Sequence, residues 1–453
     1  MTPARRRIWG WYFFDWASQP YNTLILTFVF GPWFASVARD HYLGQGLDAD
    51  AARAGAQAAW AWGQTASGLV IAGLAPVLGA IADGSGRRLP WIRLFSLMYV
   101  AGAAMLWTLA PGTDTLAPVL LWFAVGLIGM EFATIFTNAL MPDLVARDEM
   151  GRLSGNGFAL GYLGGIVALV LMLTLFVESG DSGRTLIGIA PVLGLDPAAR
   201  EGTRAVGPFT AIWYALFMIP FFLWVREPAR RNPRRSPGQA LRDLRRLLAS
   251  LPSRQSLFAY LVSSMFYRDA LNALYGFGGT YALLVLGWSV TQVGLFGIAG
   301  AVTAAIASWA GGKIDAARGP KPLIVLSILV LIAVCLVVVG MSREAIWGLA
   351  FAPGSSLPDI IFYVCGALIG AAGGTLQAGS RTLMVYHTDP DRASEAFGLY
   401  ALSGKATAFL GPFAIGVATT LTGNQQAGMV PLIGLFVIGL VLLIRVRPRG
   451  EQP

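Results

Sequence analysis

The sequence predicts an all-α, polytopic membrane protein with 12 transmembrane helices in two pseudo-symmetric six-helix bundles. Three observations carry that expectation: the composition, the long apolar runs, and the placing of the basic residues. Of 453 residues, 55% are hydrophobic and only 13% are charged. A soluble domain carries roughly 25% charged residues. A chain this poor in charge cannot clothe a water-facing surface and suits a bilayer.

The apolar runs fall at about 9–36, 60–82, 91–110, 117–140, 153–177, 208–225, 255–286, 290–310, 322–340, 358–380, 395–421 and 428–444. They are read as helices because the hydrocarbon core offers a backbone amide no partner. A closed barrel would need alternating rather than continuous apolar residues. The N-terminal stretch MTPARRRIWGWYFF mimics a signal peptide. The run that follows is longer than the usual apolar core of about 7–15 residues, and Asp15, Gln19, Pro20 and Asn22 interrupt it. It reads as the first span.

Charge then sets orientation. Loops on the side of the N-terminus carry 25 of the 33 Lys and Arg residues, and the opposite loops carry six. The remaining two, Arg268 and Lys405, lie inside spans. This asymmetry places both termini in the cytoplasm, with a bacterial inner membrane as the expected location. It also accounts for the net charge of +9 as topological anchoring, so no nucleic-acid partner is expected. Cys335 and Cys365 sit in apolar runs without zinc-type spacing, and His41 and His387 are too few for a histidine-built site. No metal and no cofactor is expected.

An arginine-rich segment, 226–254, divides the chain into a first bundle (1–225) and a second (255–453). Its proline-rich start reads as a linker. Its second part places Leu241, Leu244, Leu247 and Leu248 on one face and Arg242, Arg245 and Arg246 on another. That pattern predicts a basic amphipathic helix lying on the cytoplasmic leaflet, with a solvated linker as the alternative.

The two halves echo each other. The loop after the second span reads GAIADGSGRRLPW (79–91), and the one after the eighth reads GGKIDAARGPKPL (311–323). Span 1 contains FFDWASQPY and span 7 contains FYRDALNALY. Aligned on Asp15 and Asp269, they set Ser18 opposite Asn272 and Tyr21 opposite Tyr275. Internal repetition of this kind is the mark of a carrier built from related halves.

Over essentially its whole length the chain resembles a major facilitator superfamily transporter. Gly79, Asp83, Gly86, Arg87 and Arg88 match that superfamily's loop motif, G-x-x-x-D-R-x-G-R-R. Gly84 departs where arginine is usual, and the second copy, with Gly311 and Asp315, has an extra residue before Gly319. YFFDWASQPYNTLILTFVF, GTLQAGSRTLM (374–384) and SEAFGLYALSGKATAFLGP (394–412) further resemble the autophagy-related vacuolar effluxer family and its bacterial relatives. The resemblance implies secondary transport of a small solute, of amino acids in the eukaryotic members. The superfamily analogy also implies that Asp83 latches the halves in an outward-open state, with Arg87 and Arg88 nearby. A plain basic turn is the alternative.

The residues themselves suggest where function lies. Asp15, Ser18, Gln19 and Asn22 share one helical face, and Glu131, Thr134 and Asn138 repeat the pattern in span 4. Span 7 adds Arg268, Asp269 and Asn272; span 10 adds Gln377 and Arg381; span 11 adds Tyr400, Ser403, Lys405 and Thr407. Ionisable residues at such depth face a bundle interior or a wet cavity. Asn22, Glu131, Asn138, Asp269, Asn272, Gln377 and Lys405 are therefore the candidate substrate and ion ligands. Asp15 lies only about 9 Å of helix past Trp9, which makes it a gate or helix-pairing residue. Gly79, Asp83, Arg87, Arg88, Gly311, Asp315, Arg268 and Arg381 join it as gating and structural residues. The alternative role for the whole set is internal bonding that holds the helices together.

Glycines at 157, 161 and 165 and at 366, 370 and 374 form small-residue stripes, suited either to sliding between halves or to static packing. The expected protein is a monomeric, non-enzymatic carrier in the lipid bilayer, coupled to protons or uncoupled. The competing classes are a membrane-embedded enzyme, for which YHTDPDR (386–392) is the sole histidine–carboxylate cluster near the cytoplasmic face and lacks a nucleophile partner in the sequence, and a lipid-translocating protein of carrier-like fold.

Overall fold

A computed structural model describes residues 2–180, 182–227 and 236–450. The chain is almost wholly helical. The first span bends through three pieces, α1 (Pro3–Pro20), a π-helical stretch (Tyr21–Phe28) and α2 (Phe30–Gly44). Pro20 lacks an amide hydrogen and so loosens the ladder where the pitch widens. Then follow α3 (Ala49–Ser85), α4 (Leu89–Met105), α5 (Ala117–Asn138) and α6 (Met150–Leu171). Three shorter helices, α7 (Glu201–Arg204), α8 (Val206–Phe217) and α9 (Ile219–Trp224), complete the first half. The second comprises α10 (Pro237–Ser250), α11 (Gln255–Leu284), α12 (Val290–Arg318), α13 (Pro320–Val339), α14 (Leu357–Tyr386), α15 (Ala393–Ala406), α16 (Leu410–Thr422) and α17 (Val430–Leu443). A two-residue hairpin pairs β1 (Ala345–Ile346) with β2 (Leu349–Ala350).

Among the described residues, ten helical segments are long and apolar enough to cross a membrane. The region of α11 is not one of them, because its centre carries Arg268, Asp269 and Asn272. Ala427–Leu443 is apolar but shorter.

The helices form two compact units whose membership departs from chain order. The first contains 1–74, 87–137 and 160–229. Its core is aromatic: Tyr99 stacks on Tyr214 at 3.9 Å, Trp60 meets Phe123 at 4.5 Å, and Phe95 stacks on Phe132 at 4.7 Å. Tyr21 donates its hydroxyl to the Phe123 carbonyl at 3.0 Å. Glu227, just past α9, caps the start of α4 by accepting from the amides of Arg88 (2.5 Å) and Leu89 (3.1 Å). A carboxylate there meets the positive end of the helix dipole.

The second unit contains 75–86, 138–159 and 230–453. The end of α3 and the segment from the end of α5 into α6 therefore pack with helices of the second half. Its seam of α12 and α14 is lined with glycine: Gly370 lies against the Gly300 backbone, and Gly374 against Ala304 and Ser308. In the first unit, Gly161 and Gly165 lie against Asp15, Gln19 and Thr23 of the first span. These glycines make close helix contacts within their own units.

The expected amphipathic helix is α10, opened by a capping box between Ser236 and Gln239. It does not simply lie on a surface, because Ala240 and Leu244 are buried against Ala80 and Val77 of α3. Residues 228–235 of the expected linker lie outside the described residues.

Candidate functional site

The eleventh predicted span is broken. α15 stops at Ala406, α16 restarts at Leu410, and Thr407–Phe409 form a turn between them. Two neighbours in the α11 sequence hold the two sides of this break. Arg268 donates to the Tyr400 carbonyl of α15 at 2.9 Å, and its guanidinium lies 4.0 Å from the centre of the Tyr400 ring. Glycine at 404 leaves room for it there, since a Cβ would stand 2.6 Å from the guanidinium carbon. Asp269, only 1% exposed, accepts the Gly411 amide on Oδ2 at 2.8 Å. Gly411 lies in the first turn of α16, so the carboxylate neutralises a half-helix N-terminus. Its other oxygen, Oδ1, is buried with no hydrogen-bond partner among the described residues. An ionised oxygen of this kind is costly to bury unless something occupies its lone pairs.

The α11 polar set thus divides. Asp269 turns toward α16, while Asn272 and Tyr275 are exposed on another face. Further contacts tie α11 to its neighbours: Ser264 to Ser403 at 3.3 Å, Tyr267 to Ser380 at 2.9 Å, and Thr407 to the Met265 carbonyl at 3.4 Å.

A second cluster lies at the end of α3. Asp83 accepts the Glu395 amide at 2.8 Å and so caps α15, whose first residue is Ala393. Glu395 in turn accepts from Arg392 on both oxygens at 2.8 Å. Gly79 is required because any Cβ would collide with the Ser394 carbonyl, and Gly398 because one would collide with Ala75. The second motif copy is arranged differently. Asp315 is 1% exposed and abuts Gly151 at the start of α6. Gly312, rather than Gly311, meets that helix at Gly151 and Gly155; Gly311 faces Thr375 and Leu323. Arg381 of α14, 4% exposed, donates to Ser154 Oγ (2.9 Å), the Ser154 carbonyl (2.8 Å) and Asn138 Oδ1 (3.2 Å), and stacks on Phe158 at 4.3 Å. Asn138 is thereby brought to Arg381 at the last residue of α5, away from mid-span.

Among the other candidates, Asp15, Asn22, Glu131, Gln377 and Lys405 are partly exposed, Arg87 is exposed and Arg88 is fully buried. Gln377 donates to the Gly373 carbonyl at 3.4 Å. The sequence reading missed Glu227, Ser154 and the Arg392–Glu395 pair. The last was legible as an i, i+3 pair opening a helix; the other two carry no local signal.

His387 has a partner that the sequence did not reveal. Ser256 lies 2.8 Å from its Nε2, and Nδ1 lies 2.9 Å from the Leu383 carbonyl. Both side chains are buried, and Ser256 Oγ also accepts the Arg447 amide at 2.8 Å. Through the Arg447 amide, Ser256 ties the residues that follow α17 to the start of α11.

The family model described as vacuole effluxer Atg22 like matches residues 64–451. A protein of Bacillus subtilis described as the uncharacterized MFS-type transporter YxiO is 27% identical over 440 residues, 96% of this chain and 93% of that one. Autophagy-related protein 22 of Cryptococcus neoformans is 24% identical over 318 residues, and the match spans 66% of this chain but only 51% of the fungal protein. Among solved structures, the human organic anion transporter MFSD10 superposes with a TM-score of 0.70 over 98% of this chain and 100% of that chain, at 17% identity. The proton:xylose symporter XylE gives 0.67 over 97% and 94%, at 12% identity. These two likenesses establish the fold.

Proposed function

The chain belongs to the Atg22-like family of major facilitator transporters, and from that premise we propose that it is a secondary carrier of a small organic solute. The reading has it alternate access by rocking two six-helix halves, 1–225 and 255–453, joined by 226–254. Twelve spans, both termini in the cytoplasm and a monomeric state belong to the same reading. An amino acid or a related metabolite is the proposed solute class, by analogy with the vacuolar relatives.

The observation that carries this reading furthest is the buried, half-satisfied Asp269 at the break in the eleventh span. Discontinuous helices build ion and substrate sites in carriers, because their exposed amides and carbonyls serve as ligands. A proton on Asp269 Oδ1 is the simplest occupant, and Glu131 is the second proposed proton site. Asn22, Asn272, Gln377 and Lys405 are the proposed solute ligands. Arg268 is the positioning residue that holds Tyr400 and α15, and the Asp83–Glu395 cap with Asp315 and Arg381 forms the proposed gate.

The test has two stages. Metabolite profiles of deletion and overexpression cells select candidate solutes, and counterflow in proteoliposomes then identifies the one carried. Asp269→Asn and Glu131→Gln are expected to impair gradient-driven uptake more than expression. Unchanged, still pH-dependent uptake in both variants overturns the proton assignment. Lipid flipping without solute flux overturns the carrier reading.

A further inference from the structure

Only half of the amphipathic character of α10 is used inside the protein. Ala240 and Leu244 are seated on Ala80 and Val77, on the last turns of α3 that also carry Gly79 and Asp83. Arg392, which pairs with Glu395, also reaches the Asp243 carbonyl of α10 at 3.5 Å. The helix therefore buttresses the cap from outside. A second stripe is exposed beside the first. Leu241 is 41% exposed and Leu248 is 42% exposed, with Arg245 between them, and Arg242 and Arg246 follow on the next stripe. Asp243 is the single acidic residue of α10 and is already paired with Arg246 at 3.4 Å. Isolated leucines flanked by arginines suit the boundary between acyl chains and headgroups, where the leucines bury and the guanidiniums meet phosphate.

We propose that the Leu241–Leu248 face of α10, with Arg242, Arg245 and Arg246, is a docking surface for anionic phospholipid headgroups, and that its occupancy braces the Asp83–Glu395 cap. Charge complementarity selects the occupant. The face presents three exposed arginines against the single carboxylate of Asp243. A negatively charged leaflet is attracted to such a cluster, each arginine near the surface contributing roughly fivefold. The inference does not depend on which solute is carried, so its failure leaves the transport reading standing.

The test uses the full chain in nanodiscs, with an environment-sensitive fluorophore on Leu248→Cys; the native Cys335 and Cys365 are buried. In discs of phosphatidylglycerol and phosphatidylcholine the probe is expected to shift to the blue and to be quenched by spin-labelled lipid. In pure phosphatidylcholine the shift is expected to be several-fold smaller. Raising salt should reverse the phosphatidylglycerol effect, and Arg242→Gln/Arg245→Gln/Arg246→Gln should abolish it. Hydrogen exchange over residues 75–86 should slow with phosphatidylglycerol in the parent protein only. Soluble glycerophosphate added to phosphatidylcholine discs should change nothing. Equal spectra in the two lipids, or a response insensitive to both salt and the arginine changes, overturns the proposal. A shift that instead grows with protein concentration in phosphatidylcholine points to a second copy and overturns it as well.

Discussion

Spans 1 and 7 begin from similar sequences, but the helices they support differ. In the first half, Gly161 and Gly164 bring α6 against the backbone of Asp15 and Trp16, and α6 runs unbroken from Met150 to Leu171. In the second half, Asp269 and Arg268 meet a helix that stops at Ala406 and restarts at Leu410. The difference lies in what the aspartate reaches. Asp15 is half-buried, with its carbonyl 3.3 Å from a Cβ built on Gly161. Asp269 is sunk and supplies a carboxylate to a free helical amide, so a break in α15–α16 has a ready cap. A repeat in sequence therefore preserves where helices touch, while Pro412 interrupts the touched helix in the second half and Asp269 caps an amide at the restart.

The widest gap is expected between Asp269→Ala and Asp15→Ala. Removing Asp269 leaves the buried Gly411 amide without its acceptor, a loss of about 2–3 kcal/mol. Asp15→Ala, at a half-exposed position, should cost less than Asp269→Ala. Detergent unfolding titrations of the two variants measure this, and equal losses would erase the distinction. A narrower gap separates Gly411→Ala from Gly161→Ala. A Cβ at 411 would lie 2.6 Å from that of Ala273, overpacking worth about 1–3 kcal/mol. At 161 the nearest atom is 3.3 Å away, and the cost should stay under about 1 kcal/mol. A third contrast uses the two loop motifs. Gly79→Ala forces apart α3 and the start of α15 and should cost about 1–2 kcal/mol, with faster hydrogen exchange at the Glu395 amide. At Gly311→Ala the nearest atoms are side chains, the Thr375 methyl at 2.8 Å and Leu323 at 3.3 Å, rather than backbone, and the cost should be smaller.

Much of the architecture was legible because a bilayer simplifies the rules. Continuous apolar runs mark helices, and the chain has few other ways to satisfy its backbone. The loop motif marked Asp83 as a residue of interest, but its partner, the Glu395 amide 312 positions on, was not legible. The break after Ala406 carried a local signal that the reading passed over: Pro412 lacks an amide hydrogen and crowds the carbonyl four residues back, at Ala408. What stayed hidden was the cap, because Asp269 lies 142 positions before the Gly411 amide that it accepts. A longer separation, 243 and 227 positions, hid the partners of Arg381, Asn138 and Ser154 in the first half of the chain. Repetition also misled at one point. Aligning Gly79 with Gly311 gave them one role, but in the second copy the adjacent Gly312 makes the helix contact. The extra residue before Gly319 had already marked this copy as divergent.

The smallest effect is expected at Arg268, and it discriminates between two ways of holding α15. The guanidinium donates to the Tyr400 carbonyl and lies over the Tyr400 ring, with Gly404 leaving room beside it. Lysine keeps the charge and a donor but cannot stack as a plane. Arg268→Lys should therefore cost about 0.5–1 kcal/mol, the worth of the ring contact alone. Tyr400→Phe retains a ring face and should be near neutral, whereas Tyr400→Leu should match the lysine variant. If Arg268→Lys is neutral while Tyr400→Leu is costly, the backbone bond rather than the stack fixes α15, and the ring matters only for packing against Tyr260 and Phe397. If both are costly and their double variant adds nothing further, the stacked pair acts as one element. In that case α15 is held through Arg268 and α16 through Asp269 by different chemistry from adjacent residues, and the turn between them can flex when either contact changes.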